Sequence, residues 1–439
     1  MIPSEMIRFL DTGLTSGHVS AEIAARLVES GSRELDMRQS WAIKRGETVH
    51  IVTGGTVVAF RAGTAGPEEA SIVIGAAHTD SPGLQLKDRS AKITDGFVQV
   101  PVEVYGGPIL ATWIDRNLAI AGRIAVKNAE AGVPEVRLFS TRRPWAVIPN
   151  LAIHFNREVN ESLSYNRQDH LKALIPIDAS AAPGDVDGDI DGQTYFRTMV
   201  AEAAGISPDD LVDMELQLVS AEAASFIGRG QDMVTSGRID NLAGCIAVLD
   251  GFTGAASVET AHSAMAIFYD HEEIGSTTAF GAAGDITRHT LTRFLKALHG
   301  GSVDMEAVLS RSVLLSNDCA HGRHPNYADK HDPGYAPLLG RGPVIKKSAV
   351  RRYATELEPS AWFASVCDER GVPLQYLQNR SDITAGSTIG PAVASRLSVP
   401  SVDIGIPMLA MHSIRETAAL SDITSMGRVL EELFKRGYR

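Results

Sequence analysis

Residues 70–83 read "ASIVIGAAHTDSPG": an unbroken apolar run from Ile72 to Ala77 stops abruptly at His78, Thr79, Asp80 and Ser81. The run lacks any alternation of apolar and polar residues. It is therefore read as a strand buried on both faces, as in a parallel sheet covered by helices. The same pattern recurs in "AHSAMAIFYDHEEIG" (261–275), "SRSVLLSNDCAHG" (310–322) and "SVPSVDIGIPMLAMHS" (398–413). All four runs end in His, Asp or Glu, and open α/β sheets hold their ligands at the carboxyl ends of the strands. The expected fold class is α/β.

Outward from this frame, "SAEIAARLVESG" (20–31) has helical spacing, with Ser20 expected as N-cap and Gly31 as stop. The alternating "TVHIVTGGTVVAF" (48–60) reads as a hairpin. The pattern changes after about residue 92. "GFVQVPVEVYGG", "NLAIAGRIAVKN" and "DMELQLVSAEAASF" are β-rich, and the Gly/Asp-rich "ASAAPGDVDGDIDGQ" (179–193) is expected to be a surface loop. The expected organisation is an α/β sandwich domain in two parts, 1–91 and 232–439, interrupted by a β-rich domain over 92–231.

At 439 residues the chain exceeds what one core usually supports, which agrees with two domains. The three cysteines, Cys245, Cys319 and Cys367, form no CxxC pair, so any metal must be held by His and carboxylates. A net charge of -12 without a long basic run argues against nucleic acid or an anionic membrane as partner. No apolar run reaches membrane-spanning length, and "MIPSEMIRFLDTG" lacks the features of a secretory signal. A soluble cytoplasmic protein acting on a small or peptidic substrate is expected.

Asp270, His271, Glu272 and Glu273 crowd like charges at one strand end, a cost that a bound cation would offset. His78 and Asp80 form a His-x-Asp unit in which the carboxylate fixes the ring. Asp240 precedes an apolar helix-like run and by itself reads as an N-cap. Together His78, Asp240, Glu273, Asp318 and His412, all expected at strand ends, form a two-metal set, with one carboxylate bridging the ions. Zinc suits such ligands, and cobalt or manganese would also fit. Successive residues point in different directions, so Glu273 can ligate while Glu272 acts as general base on water activated by the metals.

At this point the sequence resembles the M18 metalloaminopeptidases, the aspartyl aminopeptidases. The resemblance is carried by "FLDTGLTSGHVSAEIAARL", "GAAHTDSPGLQLK", "VEVYGGPILATWIDRNLAIAGR", "IPNLAIHFNR", "TSGRIDNLAG", "DHEEIGS", "SNDCAHGRHPNY", "STIGP" and "MLAMHSIRE". It implies one ion on His78, Asp240 and Asp318 and a second on Asp240, Glu273 and His412. It also implies that residues 92–231 dimerise, that dimers build a tetrahedral dodecamer, and that His154 reaches the neighbouring subunit's active site. Lys346, Tyr353 and Gly386 are implied to contact a peptide substrate with an acidic N-terminal residue. Without the resemblance, Lys346 would pass for a solvated charge. Lys347, Arg351, Ala385 and Ser387 depart from the family's usual pattern.

Other two-zinc hydrolases with these five ligands insert their extra domain late, before the final His. Here the long gap lies between His78 and Asp240, which favours the aminopeptidase branch. The runner-up readings are a broader aminopeptidase preferring neutral residues such as Leu, and an inactive assembly scaffold. A scaffold would be expected to have lost Glu272 or a ligand.

Overall fold

The computed structural model describes residues 2–177, 191–384 and 386–438. The chain divides into two compact units, one built from 1–81, 224–411 and 416–439, the other from 82–223 and 412–415.

The first unit is built on a nine-stranded sheet. The four apolar runs supply its parallel centre, in the order Ser263–Tyr269, Ile72–His78, Val313–Asn317 and Ser401–Gly405. The expected hairpin, Thr48–Thr53 with Thr56–Arg61, pairs antiparallel and joins one flank. On the other flank, Val344–Lys346 runs antiparallel to Ser401–Gly405, and Gln375–Leu377 forms the edge.

The strands are continuously apolar because both faces are covered. Val73 and Ala77 join the core of the helices Ser16–Glu29, Ile239–Gly254 and Leu420–Arg436. Ile72, Ile74 and Ala76 point the other way, towards Ile286–His299 and Ile389–Leu397. Burying each large aliphatic side chain stabilises the fold by roughly 1.5–3 kcal/mol. Gly75 lets the last helix lie close on the sheet, since a Cβ there would meet Phe434 Cζ at 2.6 Å.

Two expected helix caps are corrected. The helix begins at Ser16, not after Ser20, and the buried Ser20 hydroxyl donates to the Gly17 carbonyl at 3.0 Å. Asp240 is no N-cap either: it lies inside Ile239–Gly254 with non-helical backbone angles, as does Asn241.

The second unit carries a seven-stranded sheet that includes the predicted strands Phe97–Tyr105, Leu118–Val126 and Leu211–Ser220. A helix that the sequence reading missed, Gly192–Ala203, buries Phe196 and Val200 in this unit's core. Most of the expected loop 179–193 lies outside the described residues. Its end does not: Asp191 accepts the Thr194 N–H at 2.9 Å and caps that helix.

His18, in the first turn of its helix, predicts acid sensitivity. Burial first, and then the neighbouring Arg238 charge, push its pKa down to about 4, while its Nδ1 meets Thr15 Oγ1 at 2.8 Å. Burial lowers His50 and His262 as well. The unfolded chain therefore takes up protons that the folded chain refuses. The contribution of these histidines to stability is expected to be flat above pH 6.5, to fall between 6.5 and 4 by up to about 3 kcal/mol for His18, and to level off below. Urea midpoints measured from pH 7 to pH 4 check this. His18→Gln is expected to flatten the slope, and an unchanged slope would acquit His18.

Candidate metal centre

The turn after Ser263–Tyr269 is held by its own side chains. Asp270 is buried and accepts the Ser16 hydroxyl at 3.1 Å and the His271 N–H at 3.0 Å, while the His271 ring meets Thr278 Oγ1 at 2.9 Å. His271 and Ser276 adopt left-handed backbone with φ of 65° and 62°, and Arg238, just before Asp240, has a φ of 60°. Non-glycine residues in this region cost on the order of 1–3 kcal/mol each and gather at functional sites. Gly275, with a φ of 93°, serves the turn through its backbone freedom.

Asp80 ties this turn to the end of the central strand. Its Oδ1 accepts the Glu272 N–H at 3.0 Å and its Oδ2 the Glu273 N–H at 3.1 Å. Its backbone oxygen accepts from His78 Nδ1 at 3.0 Å, which leaves Nε2 as the nitrogen carrying the lone pair. One carboxylate thus orients two glutamates, and the residue that bears it also orients the imidazole.

His78 Nε2 lies 3.5 Å from Asp240 Oδ1 and 3.3 Å from Asp318 Oδ1. Ligand atoms of His78, Asp240 and Glu273 all lie within 4.8 Å of one another, the one such cluster among the described residues. Glu272, the next residue to Glu273, is not a member. Asp318 joins the cluster through His78.

Residues that the sequence reading overlooked hold this frame. Glu416, almost wholly buried, accepts the Asp240 N–H at 3.0 Å, and Ser81 Oγ donates to the Asp240 carbonyl at 2.7 Å. Asn241 Nδ2 donates to the Asn317 carbonyl at 2.9 Å, and Cys245 Sγ to the His78 carbonyl at 3.0 Å. Each partner is distant in sequence. The only local hint was a carboxylate followed by the mild run "TAAL".

The electrostatics are those of a cation site. Burial first, and then Asp318, Asp80 and Asp240, push Glu272 up to about 8 against the attraction of His78. Burial and Asp240 hold Glu273 well above the carboxylate range. Burial alone would lower His78, but its contacts to Asp240, Asp318 and Asp80 outweigh that and raise it well above an ordinary histidine. One imidazole with several carboxylate oxygens is a donor set that fits zinc.

The remaining predicted residues are placed as follows. His412 belongs to the second unit, has a φ of 68°, and presents Nδ1 to the Gly107 carbonyl at 3.1 Å. His154 is exposed in the same unit, between Ile153 and Phe155, which are 50% and 80% exposed. Lys346 is not solvated: it is 2% exposed, and its Nζ lies 2.8 Å from the Cys319 carbonyl and 3.5 Å from Asp318 Oδ2. Burial works against its charge, but Asp318, Tyr353 and Asp403 outweigh that and raise its pKa. Tyr353 is buried, with its ring centroid 5.4 Å from Lys346 Nζ. Gly386 is exposed and follows Ala385, which lies outside the described residues.

A buried imidazole–carboxylate cluster beside the carboxyl ends of a parallel sheet is a donor set suited to a divalent metal ion. The chain matches the family model described as aminopeptidase I zinc metalloprotease (M18) over residues 9–434, and it belongs to that family. It is thus a zinc aminopeptidase, a peptide hydrolase. It is 39% identical over 434 residues to a protein named "Probable M18 family aminopeptidase 2" from Ectopseudomonas mendocina, covering 98% of this chain and 97% of that one. A protein of the same name from Azotobacter vinelandii is 40% identical over the same shares. Among solved structures, one titled as the Ape4 and Nbr1 complex is 30% identical with a TM-score of 0.93, covering 98% of this chain and 85% of that one. The Saccharomyces mApe1 dodecamer is 25% identical with a TM-score of 0.84, covering 99% and 96%.

Proposed function

We propose that the chain is a two-metal aminopeptidase that releases N-terminal residues from peptides, with a preference for Asp and Glu. The observation that carries the metal reading is the buried group of His78, Asp240 and Glu273, whose ligand atoms lie within 4.8 Å of one another. In this reading His78, Asp240 and Asp318 hold one ion and Asp240, Glu273 and His412 the other. When bound, the ions polarise the scissile carbonyl and acidify the attacking water.

The chain's own residues do the rest. The Glu272 carboxylate takes a proton from water as its oxygen attacks the scissile carbonyl carbon. It returns that proton to the amide nitrogen as the C–N bond breaks, leaving a free amino acid and a peptide one residue shorter. Asp80 holds the N–H groups of Glu272 and Glu273, which fixes the backbone of the turn that carries both side chains. His154 positions the substrate carbonyl of a neighbouring subunit, within a dodecamer built from dimers through residues 92–231. A dodecameric relative supports the assembly. No helix among the described residues is long and apolar enough to cross a membrane, which is compatible with the cytoplasmic location proposed here.

The acidic preference rests on the family resemblance. Hydrolysis of a panel of aminoacyl chromogenic substrates tests the whole reading. Asp and Glu substrates are expected to outpace Leu, with activity lost on chelation and restored by zinc or cobalt. Faster cleavage of Leu would favour the broader enzyme, and activity that survives full chelation would remove the metals from the chemistry.

A further inference from the structure

We infer that Asp403 is a positioning residue for substrate selectivity, its buried carboxylate joining the two segments that carry Tyr353 and Gly386. The inference rests on the acidic preference proposed above and on the pocket that the family resemblance implies, Lys346, Tyr353 and Gly386.

Asp403 stands in the middle of the buried strand Ser401–Gly405 and is itself fully buried. Its neighbours Val402 and Ile404 join the core on the Leu420–Arg436 face of the sheet. Side chains alternate along a strand, so Asp403 points the other way, towards Ile389–Leu397. There Oδ1 accepts the hydroxyl of Thr388, the N-cap of that helix, at 2.8 Å, and Oδ2 accepts the Ala354 N–H. Gly390 makes room for the carboxylate, since a Cβ there would lie 2.4 Å from Oδ1 and 2.5 Å from Oδ2. The first turn of the helix therefore faces a negative charge, which the helix dipole favours.

One residue thus touches all three arms of the pocket. The Asp403 N–H donates to Thr355 Oγ1 at 3.0 Å, and that hydroxyl donates to the Lys346 carbonyl at 2.6 Å. Ala354 is the residue after Tyr353, and Thr388 lies two residues beyond Gly386. Only the last two links run through the side chain, so a substitution at 403 leaves the backbone link to Lys346 in place. A second tie between the same segments, Ser387 Oγ to the Arg352 carbonyl at 3.3 Å, is exposed, where water competes. The buried carboxylate has no such competitor. The Tyr353 ring lies 5.4 Å from Lys346 Nζ, so a shift of the Ala354 backbone moves the wall beside the ammonium. None of these contacts involves His78, Asp240 or Glu273. Asp403 therefore acts on which side chain the pocket accepts, not on the metal cluster.

The test uses the full chain with Asp403→Ala, Asp403→Asn and Thr388→Val. For each, kcat and KM are measured separately on Glu and Leu chromogenic substrates at saturating zinc, with metal content alongside. Asp403→Ala is expected to lower the Glu-to-Leu ratio of kcat/KM by about 10- to 100-fold, chiefly through a higher KM for Glu, because a pocket misplaced by an ångström costs that much. Its metal content is expected to match the parent's. Asparagine offers an oxygen to the Ala354 N–H and an amide to Thr388 Oγ1 without a charge, so Asp403→Asn is expected to recover most of the ratio. Thr388→Val removes a single hydrogen bond and carries the test should the alanine variant fold poorly. It is expected to lower the ratio about 2- to 10-fold. Equal losses on both substrates, an unchanged ratio in Asp403→Ala or in Thr388→Val, or a ratio in Asp403→Asn as low as in Asp403→Ala would overturn the inference. A parent that prefers Leu would overturn the acidic reading itself, and the inference with it. A parent that prefers Glu, and keeps that preference in Asp403→Ala, would overturn the inference alone.

Discussion

Glu272→Gln is expected to lose about 100- to 10,000-fold in kcat/KM, the usual cost of removing a general base, while the bound metal stays at the parent level. The two effects separate because the turn separates the two glutamates. Both N–H groups are held by Asp80, which fixes the backbone whatever side chain stands at 272. Glu273 then joins the cluster with His78 and Asp240, and Glu272 does not. Glutamine has the shape of glutamate but cannot accept the proton of the attacking water. Steady-state kinetics alongside metal analysis decides the matter. A variant that loses an ion would mean that Glu272 is a ligand and that the two glutamates have been exchanged. The same variant tests His154. Mixed oligomers of Glu272→Gln and His154→Ala subunits are expected to recover activity that neither shows alone, and none recovered in assemblies proven mixed would place His154 outside the neighbour's site.

The sheet was legible because its central strands are buried on both faces. Such strands cannot be confused with amphipathic elements, and all four apolar runs form the parallel centre. Helix starts were harder to read. Ser20 and Asp240 both looked like caps, yet Ser20 turns its hydroxyl back to Gly17, and Asp240 sits in a kink whose backbone is set by Glu416 and Ser81. A local propensity rule cannot see a partner more than a hundred residues away. Gly192–Ala203 was missed because Tyr195 and Phe196 weaken its helical signal and its cap, Asp191, was counted with a loop. Lys346 gives the clearest case. Its sequence neighbours are cations, several of them exposed, and only the sheet reveals that it turns inward to a carboxylate supplied by another strand end.

For the candidate site, residue types were legible and their grouping was only partly so. His78, Asp240, Glu273 and Asp318 stand in or beside one cluster of the first unit, whereas His412 is grouped with the second. His412 was read as a strand end because it follows "IPMLAM". The strand Pro407–Leu409 ends earlier, and both Ala410 and His412 take left-handed backbone.

Asp240→Ala is expected to empty both metal sites, a larger change than any other single ligand substitution should produce. The expectation follows from its shared position. Asp240 Oδ1 lies 3.5 Å from His78 Nε2, and a ligand oxygen of Asp240 falls in the same 4.8 Å group as Glu273, so this carboxylate faces the proposed ligands of both ions. Glu273→Ala should cost only one ion, leaving His78, Asp240 and Asp318 in place. The backbone at 240 is held independently of the side chain, its N–H by Glu416 and its carbonyl by Ser81, so alanine removes the carboxylate without freeing the chain. Loss of metal can therefore be read as loss of the ligand and not as local unfolding, provided that far-UV circular dichroism and the urea midpoint stay near the parent's. Removing this buried carboxylate relieves repulsion on Glu272 and Glu273, whose pKa values Asp240 helps to raise, but also removes a contact that raises His78, so the two effects on the apo protein oppose each other. Metal content after exhaustive dialysis is the deciding measurement. Near-zero zinc in Asp240→Ala beside about one ion in Glu273→Ala would fit a bridge. Two tightly held ions in Asp240→Ala would show that each metal has its own complete set of ligands and that no carboxylate is shared.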